Sequence, residues 1–136
     1  MDQPHISGTA VIITGGLLHD GHAKTAHGLL RTGKRFKIIG VLDEKHAGSD
    51  AGRFVDGVHR GIPVMANIDQ FIEAYGKPDF AVIGMATKGG VLPESLYASV
   101  KDVLKRGIHL VNGLHQPINE IDYFKDVLGG DAQIYD

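Results

Sequence analysis

The hydrophobic residues of this 136-residue chain form short runs separated by glycine-rich and polar stretches. Short runs rich in valine, isoleucine and phenylalanine are typical of buried strands. Between these runs, apolar residues spaced three and four positions apart predict amphipathic helices. Strands are predicted at residues 10–14, 36–42, 62–65, 80–83, 108–111 and 133–135.

The helix after the third predicted strand carries clear start and stop signals. Asn67 is a favourable N-cap residue, Gln70 stands three positions later as in a capping box, and Gly76 ends the pattern. The other helices are predicted between Thr25 and Gly33, between Pro93 and Gly107, and at residues 121–128. Residues 44–61, rich in glycine and charge, predict a loop that becomes ordered around a ligand or a partner.

The alternation of strands and helices predicts an α/β protein. Parallel strands joined by right-handed helical crossovers give a Rossmann-like, open, mostly parallel twisted sheet with helices on both faces. A chain of 136 residues suits one domain, so we expect residues 1–136 to fold as a unit. In such sheets ligands bind outside the carboxyl ends of the strands, near the point where the strand order reverses.

Glycine-bearing turns follow three of the predicted strands. Gly15 and Gly16 follow the first strand, the run from Gly84 to Gly90 follows the fourth, and Gly113 follows the fifth. Glycine permits tight turns and lets a ligand approach the backbone closely. We therefore expect these turns to meet at one edge of the sheet, around a small-molecule site. For the first turn the alternative is a tight connection with nothing bound.

The start of the helix after the first turn predicts an anion-binding position. Lys24 and Thr25 lie where free backbone N–H groups and a partial positive charge collect, which suits a phosphate or carboxylate. Lys24 and Lys88 are the expected positive contacts of an anionic ligand, and solvent exposure is the alternative for each.

Two common nucleotide-binding motifs are absent. Gly16 and Gly21 have the spacing of a Walker A loop, but His22 and Ala23 occupy the positions that need lysine and serine or threonine. The dinucleotide fingerprint G-x-G-x-x-G does not occur either.

Two further residues have both a functional and a structural interpretation. Asp43 follows the second predicted strand, where dinucleotide-binding folds hold a ribose hydroxyl, and the alternative is a carboxylate that caps the loop. His115 follows the fifth strand and is a candidate general acid or base, although a histidine that only bonds its own loop is favoured. The predicted ligand-binding residues are Gly15, Gly16, Lys24, Thr25, Asp43, Gly84, Lys88, Gly89, Gly90, Gly113 and His115.

Composition narrows the classes of function. The formal net charge of -2 gives no basis for binding nucleic acid or an anionic membrane surface. The chain has no cysteine, and the grouping of His19, Asp20 and His22 in a turn does not favour a metal site. No signal peptide or apolar membrane span is recognisable, so we expect a cytoplasmic protein. No complete set of nucleophile, base and orienting group is apparent.

Several short stretches together resemble a known protein family. They are residues 23–31, 39–43, 47–48, 83–86 with 89–90, and 112–115, spread over essentially the whole chain. The family comprises two-domain bacterial and archaeal proteins described as a domain of unknown function, and includes the D-glutamate N-acetyltransferase DgcN. The resemblance implies a Rossmann-like N-terminal domain followed by a P-loop-containing C-terminal domain. It also implies acetyl-CoA or a nucleotide as the ligand.

Because no Walker A motif occurs in these 136 residues, we expect the P-loop domain to be missing from this chain. The leading hypothesis is an N-terminal ligand-binding domain of a D-glutamate N-acetyltransferase-like protein that is inactive alone. One alternative is an NAD(P)-binding oxidoreductase domain, suggested by Asp43. Another is a non-catalytic assembly domain, with residues 44–61 or a sheet edge making protein contacts and a homo-oligomer as one form.

Overall fold

The strands of the protein form a six-stranded parallel sheet. The structure is a computed structural model that describes residues 8–16, 36–84, 90–114, 116–127 and 130–135. Within these ranges the strands are β1 (Gly8–Ile13), β2 (Phe36–Leu42), β3 (Val64–Met65), β4 (Phe80–Ile83), β5 (His109–Val111) and β6 (Ile134–Tyr135). Their order in the sheet is β3-β2-β1-β4-β5-β6, and every pair is parallel. This confirms the predicted α/β class and parallel sheet.

Two α-helices connect described strands, at α1 (Ile68–Tyr75) and α2 (Tyr97–Lys105). The cap of α1 is as predicted, because the Gln70 backbone N–H donates to Oδ1 of Asn67 at 2.8 Å and Gly76 follows with φ of 93°. A short 3-10 turn leads into α2 from Pro93. No helix in the described ranges has the length and apolar character needed to cross a membrane.

The prediction of a helix at residues 121–128 is wrong for its described part. Two short 3-10 turns, Ile118–Glu120 and Asp122–Phe124, are separated by Ile121 in an extended conformation with ψ of 119°. Ile118 and Phe124 are both fully buried. Side chains six positions apart point about 120° away from each other on a continuous α-helix. The break at Ile121 lets both reach the same core.

The segment 44–61 contains defined local structure, in contrast to the predicted irregular loop. It includes 3-10 turns at Glu44–His46 and Ala51–Phe54. The carboxylate of Asp50 accepts backbone N–H groups from Gly52 at 2.9 Å, Arg60 at 2.9 Å and Ile62 at 2.8 Å. One side chain therefore holds this segment together.

The same segment covers the outer edge of β3. The Gly48 N–H donates to the Val64 carbonyl at 2.8 Å, and the Val64 N–H donates to the Ser49 carbonyl at 3.0 Å. Asp50 forms an antiparallel bridge with Pro63. An exposed edge strand would be a template for pairing with other chains, and this arrangement uses its backbone groups internally.

Both faces of the sheet are buried. Alternate side chains of each strand point to opposite faces, so Val11 and Ile13 join the core under α1 and α2, while Ala10 and Ile12 lie on the other side. The two described helices both pack on the first face. The helix predicted between Thr25 and Gly33 lies outside the described residues.

We expect Gly40→Ala to destabilise the protein. A Cβ atom at Gly40 would lie 2.2 Å from Cε2 of Phe71, whose ring is fully buried between α1 and the sheet. Overpacking of this kind should lower the free energy of unfolding by about 1–3 kcal/mol, measured by urea denaturation. Gly113→Ala is the control, because nothing lies within 4 Å of its Cβ position. Equal stability of the two variants would contradict the packing argument.

We expect the contribution of Asp50 to stability to depend on pH. Burial opposes ionisation, but hydrogen bonds from the backbone N–H groups of Arg60, Gly52 and Ile62, helped by the charge of His59, lower the pKa of Asp50 from its ordinary value. A lowered folded-state pKa means that the stabilisation is present above the ordinary carboxyl pKa and disappears as pH falls through the folded-state value.

Asp50→Asn should therefore lower the free energy of unfolding by about 1–3 kcal/mol at pH 7. The difference in stability between the variant and the unmodified protein should become smaller below pH of about 4. Denaturation curves at several pH values test this. Asp122→Asn removes an exposed carboxylate, paired with Lys125, and should change stability by less than about 1 kcal/mol. If the stability difference caused by Asp50→Asn stays constant down to low pH, the negative charge of Asp50 is not the source of its stabilising effect.

Candidate functional site

The glycine turns predicted to converge do lie at one edge of the sheet. Gly15, Gly84 and Gly113 follow the carboxyl ends of β1, β4 and β5, which are adjacent and parallel. The Gly84 N–H donates to the carbonyl of Ile13 at 3.0 Å, directly joining the first two strand ends. This geometric prediction is confirmed, whereas ligand binding by these residues stays a prediction.

The strand order reverses between β1 and β4. From β1 the chain proceeds outward through β2 and β3, and it then returns to place β4 on the opposite side of β1. In open parallel sheets, ligands bind at the carboxyl ends of the strands beside such a reversal. Gly15 and Gly84 stand on its two sides.

The turn after β1 needs glycine for two physical reasons. Gly15 and Gly16 have φ of 54° and 92°, a region that side chains rarely tolerate. A Cβ at Gly15 would also lie 2.2 Å from Cδ2 of Leu96, whereas the nearest atom to a Cβ at Gly16 is Cβ of Lys45 at 3.8 Å. Gly15 therefore packs against Leu96, and the backbone is more open at Gly16. The basic residue beside Gly16 is Lys45, which sequence patterns did not single out.

Asp43 is part of a buried pair with Thr14. The Thr14 hydroxyl donates to Oδ2 of Asp43 at 2.6 Å, and both residues are almost fully buried. Oδ1 of Asp43 accepts the backbone N–H of His46 at 3.2 Å and caps the turn that follows β2. This is the capping arrangement, the second of the two interpretations of Asp43. The contact with a ribose hydroxyl stays a prediction.

Gln116 joins the loops that follow β4 and β5. Its N–H donates to the Gly90 carbonyl at 3.0 Å, and its Oε1 accepts the Leu92 N–H at 2.9 Å. Nδ2 of Asn112 donates to the Gln116 carbonyl at 2.9 Å, while Oδ1 of Asn112 accepts the Leu114 N–H at 3.0 Å. Sequence reasoning missed Gln116, because no local pattern relates it to a backbone group 24 positions earlier.

A cleft of about 220 Å³ adjoins the first glycine turn, between the amino-terminal parts of α1 and α2. Its lining residues are Ile13, Gly15, Leu42, Glu44, Ala66, Asn67, Ile68, Ser95, Leu96, Ala98, Ser99 and Asp102. The charged side chains in this lining, Glu44 and Asp102, are both acidic. Within the cleft itself, the described groups favour a neutral, hydroxyl-bearing or cationic part of a ligand over an anionic part.

Several predicted site residues lie outside the described part of the chain. They are Lys24, Thr25, Lys88, Gly89 and His115, and their proposed contacts remain predictions. The possible metal-ligating residues His19, Asp20 and His22 also lie outside it. In the ranges that are described, no group of three or more histidine, aspartate or glutamate side chains is placed to hold a metal ion.

The parallel sheet with reversed strand order and a cleft at its carboxyl edge defines a Rossmann-like α/β domain. The sequence profile of DUF1611_N, described as a Rossmann-like domain of unknown function, matches residues 44–136. The chain belongs to this family. No curated protein matches it.

Solved structures that are similar to the chain include a family relative and an amine dehydrogenase. A DUF1611 family protein from Anabaena variabilis has 31% sequence identity and a TM-score of 0.81, over 96% of this chain and 37% of that protein. This chain therefore spans little more than a third of that relative. An amine dehydrogenase from Mycobacterium smegmatis has 22% identity and a TM-score of 0.53, over 79% of this chain and 30% of that protein, which shows a common fold.

We expect Thr14→Val to lower the free energy of unfolding by about 1–3 kcal/mol, because it removes a hydrogen bond to a buried carboxylate while keeping the side-chain shape. Thr14→Ser is the matched control, since it keeps the hydroxyl and loses only a methyl group, at a cost of about 1 kcal/mol. Urea denaturation measures both. If the serine variant is the less stable of the two, the hydrogen bond is not the dominant contribution of Thr14.

Proposed function

We propose that the carboxyl edge of the sheet binds a small organic molecule with an anionic group, of the nucleotide or coenzyme A type. The observation that carries this proposal is the reversal of strand order at β1, beside a cleft of about 220 Å³. Crevices at this position of open parallel sheets are where such folds generally bind small ligands.

The two parts of such a ligand would occupy different places. The anionic group belongs at Gly16, where the backbone is open to close approach and Lys45 stands alongside. The cleft, with Glu44 and Asp102 in its lining, suits an uncharged or hydroxyl-bearing part. The hydrogen bonds of Gln116 hold Gly90 and Leu92, which follow β4 on the opposite side of the strand-order reversal, and this supports a preformed site.

The finer proposal is a D-glutamate N-acetyltransferase-like function with acetyl-CoA as the coenzyme. Its support is the resemblance carried by stretches such as residues 23–31 and 112–115. Since the chain spans 37% of the Anabaena relative, we assign binding to this domain and the complete reaction to a longer protein. A P-loop domain would then be the partner that completes the active site.

A second candidate is an NAD(P)-binding domain, which the strand order favours because classic dinucleotide-binding folds share it. The carboxylate that would hold the ribose is Asp43, and it is already engaged with Thr14 and His46. A ribose hydroxyl would have to reach an almost fully buried group. We therefore place this candidate second.

Titration calorimetry with acetyl-CoA, CoA, ATP and D-glutamate, and fluorescence titration with NADH and NADPH, test the proposal. We expect saturable binding of acetyl-CoA, CoA or ATP. A response to NADH or NADPH alone would favour the second candidate. Silence with every ligand, both for this chain and for a full-length relative, would remove the binding proposal and leave an assembly domain.

Matched variants locate the bound molecule. Ala98→Trp places a large ring in the lining of the cleft and should weaken binding at least about tenfold, because it occupies the volume of the ligand. Ala74→Trp puts the same ring on an exposed position of α1 outside the cleft and should bind normally. Lys45→Met should weaken binding of the anionic ligands more as ionic strength falls. Equal affinity of both tryptophan variants would place the site elsewhere.

A further inference from the structure

The terminal strand β6 is held by a histidine side chain as well as by backbone pairing. The Leu110 N–H donates to the Gln133 carbonyl and the Asn112 N–H to the Tyr135 carbonyl, each at 2.9 Å. In addition, the Gln133 N–H donates to Nδ1 of His109 at 2.9 Å. A ring nitrogen accepts a hydrogen bond only when it carries no proton, so this contact requires neutral imidazole with its proton on Nε2.

From this geometry we propose that His109 acts as a pH-sensitive clasp, and that its protonation releases β6 from β5. Protonation places an N–H on Nδ1, which then faces the N–H of Gln133 as a second donor. The acceptor is lost and a repulsive contact replaces it. Histidine is the side chain that ordinarily changes charge between pH 5 and 8, so a titration over that range tests the clasp.

The surroundings of the His109 ring contain few groups that would offset this change. The ring lies 5.4 Å from Phe80 on β4 and 6.3 Å from Tyr135 on β6, measured between centroids. The Tyr135 hydroxyl donates to Oε1 of Gln133 at 2.9 Å. In the described part of the chain no carboxylate forms an ion pair with the His109 ring.

Two acidic residues lie near His109 along the chain or sheet. Asp79 precedes β4, and its carbonyl accepts the His109 N–H, but its carboxylate binds Thr9. Asp131 lies two residues before Gln133 and is exposed. Neither forms a salt bridge with the His109 ring.

Release of β6 would also weaken the contacts of the loop that follows β5. β6 is only two residues long and is held by its backbone pairing with β5 and by a bond at 3.4 Å from Nδ2 of Asn119 to the Ile134 carbonyl, so the His109 bond is a substantial part of its attachment. Asn112, bonded to Tyr135 through its backbone, holds the Gln116 carbonyl through its side chain. Opening of the clasp would thus loosen the loop on one side of the strand-order reversal. The proposed role of His109 does not depend on whether a ligand binds at the carboxyl edge of the sheet.

Nuclear magnetic resonance of the whole chain tests the clasp. At pH of about 8 the imidazole ¹⁵N signals of His109 should show the proton on Nε2. The Gln133 amide signal should move with the same pH midpoint as the His109 ring signals. After correction for intrinsic exchange, the protection of the Leu110 and Asn112 amides should fall about three- to tenfold from pH 8 to pH 5.

Variants distinguish the effect of protonating His109 from the effect of losing its side chain. In His109→Asn the amide oxygen replaces Nδ1 as acceptor without titrating, so amide protection should no longer depend on pH. His109→Ala has no acceptor and should show low protection at both pH values. His59→Asn removes a histidine whose side chain is 81% exposed and should respond to pH as the unmodified chain does.

Three results would overturn the proposal. The first is a His109 proton on Nδ1 at high pH. The second is protection that stays unchanged across the titration, and the third is a His109→Asn variant that still loses protection in acid. The tautomer measurement needs no variant, so the proposal remains testable even if a substitution prevents folding.

Discussion

The structure depends on the parallel pairing of β1 with β2 on one side and with β4 on the other. With both hydrogen-bonding edges occupied and both faces covered, the part of β1 from Ala10 to Ile13 is almost fully buried. Such a strand must be apolar. The glycine turn follows its carboxyl end, beside the reversal of strand order.

Polar side chains stabilise the loops around this edge. Thr14 and Asp43 join the ends of β1 and β2, and Asn112 with Gln116 joins the loops after β4 and β5. In the described ranges no buried side-chain nitrogen or oxygen lacks a hydrogen-bond partner. Buried polar groups are costly unless they are satisfied, so these bonds fix the loops in one arrangement.

Much of the fold could be predicted from hydrophobic patterning. The bounds of β2 and β4 agree with the prediction, the other strands differ by at most two residues at an end, and the Asn67 cap forms as predicted. These features follow from local chemistry: β-branched runs, a capping side chain and a glycine stop. The helix predicted at residues 121–128 failed because periodicity does not show which residues must reach the core. Ile118 and Phe124 do so only when the chain bends between them.

The sequence by itself determined the alternation of strands and helices, the parallel sheet that follows from it, and the glycine turns at its carboxyl edge. These depend on residues close together in the chain. Only the tertiary structure decided that Gly15 packs against Leu96, that Asp43 is buried under Thr14, and that His109 accepts a bond from Gln133. Such contacts join residues 24 to 81 positions apart, and no local pattern records which distant side chains the strand order brings together.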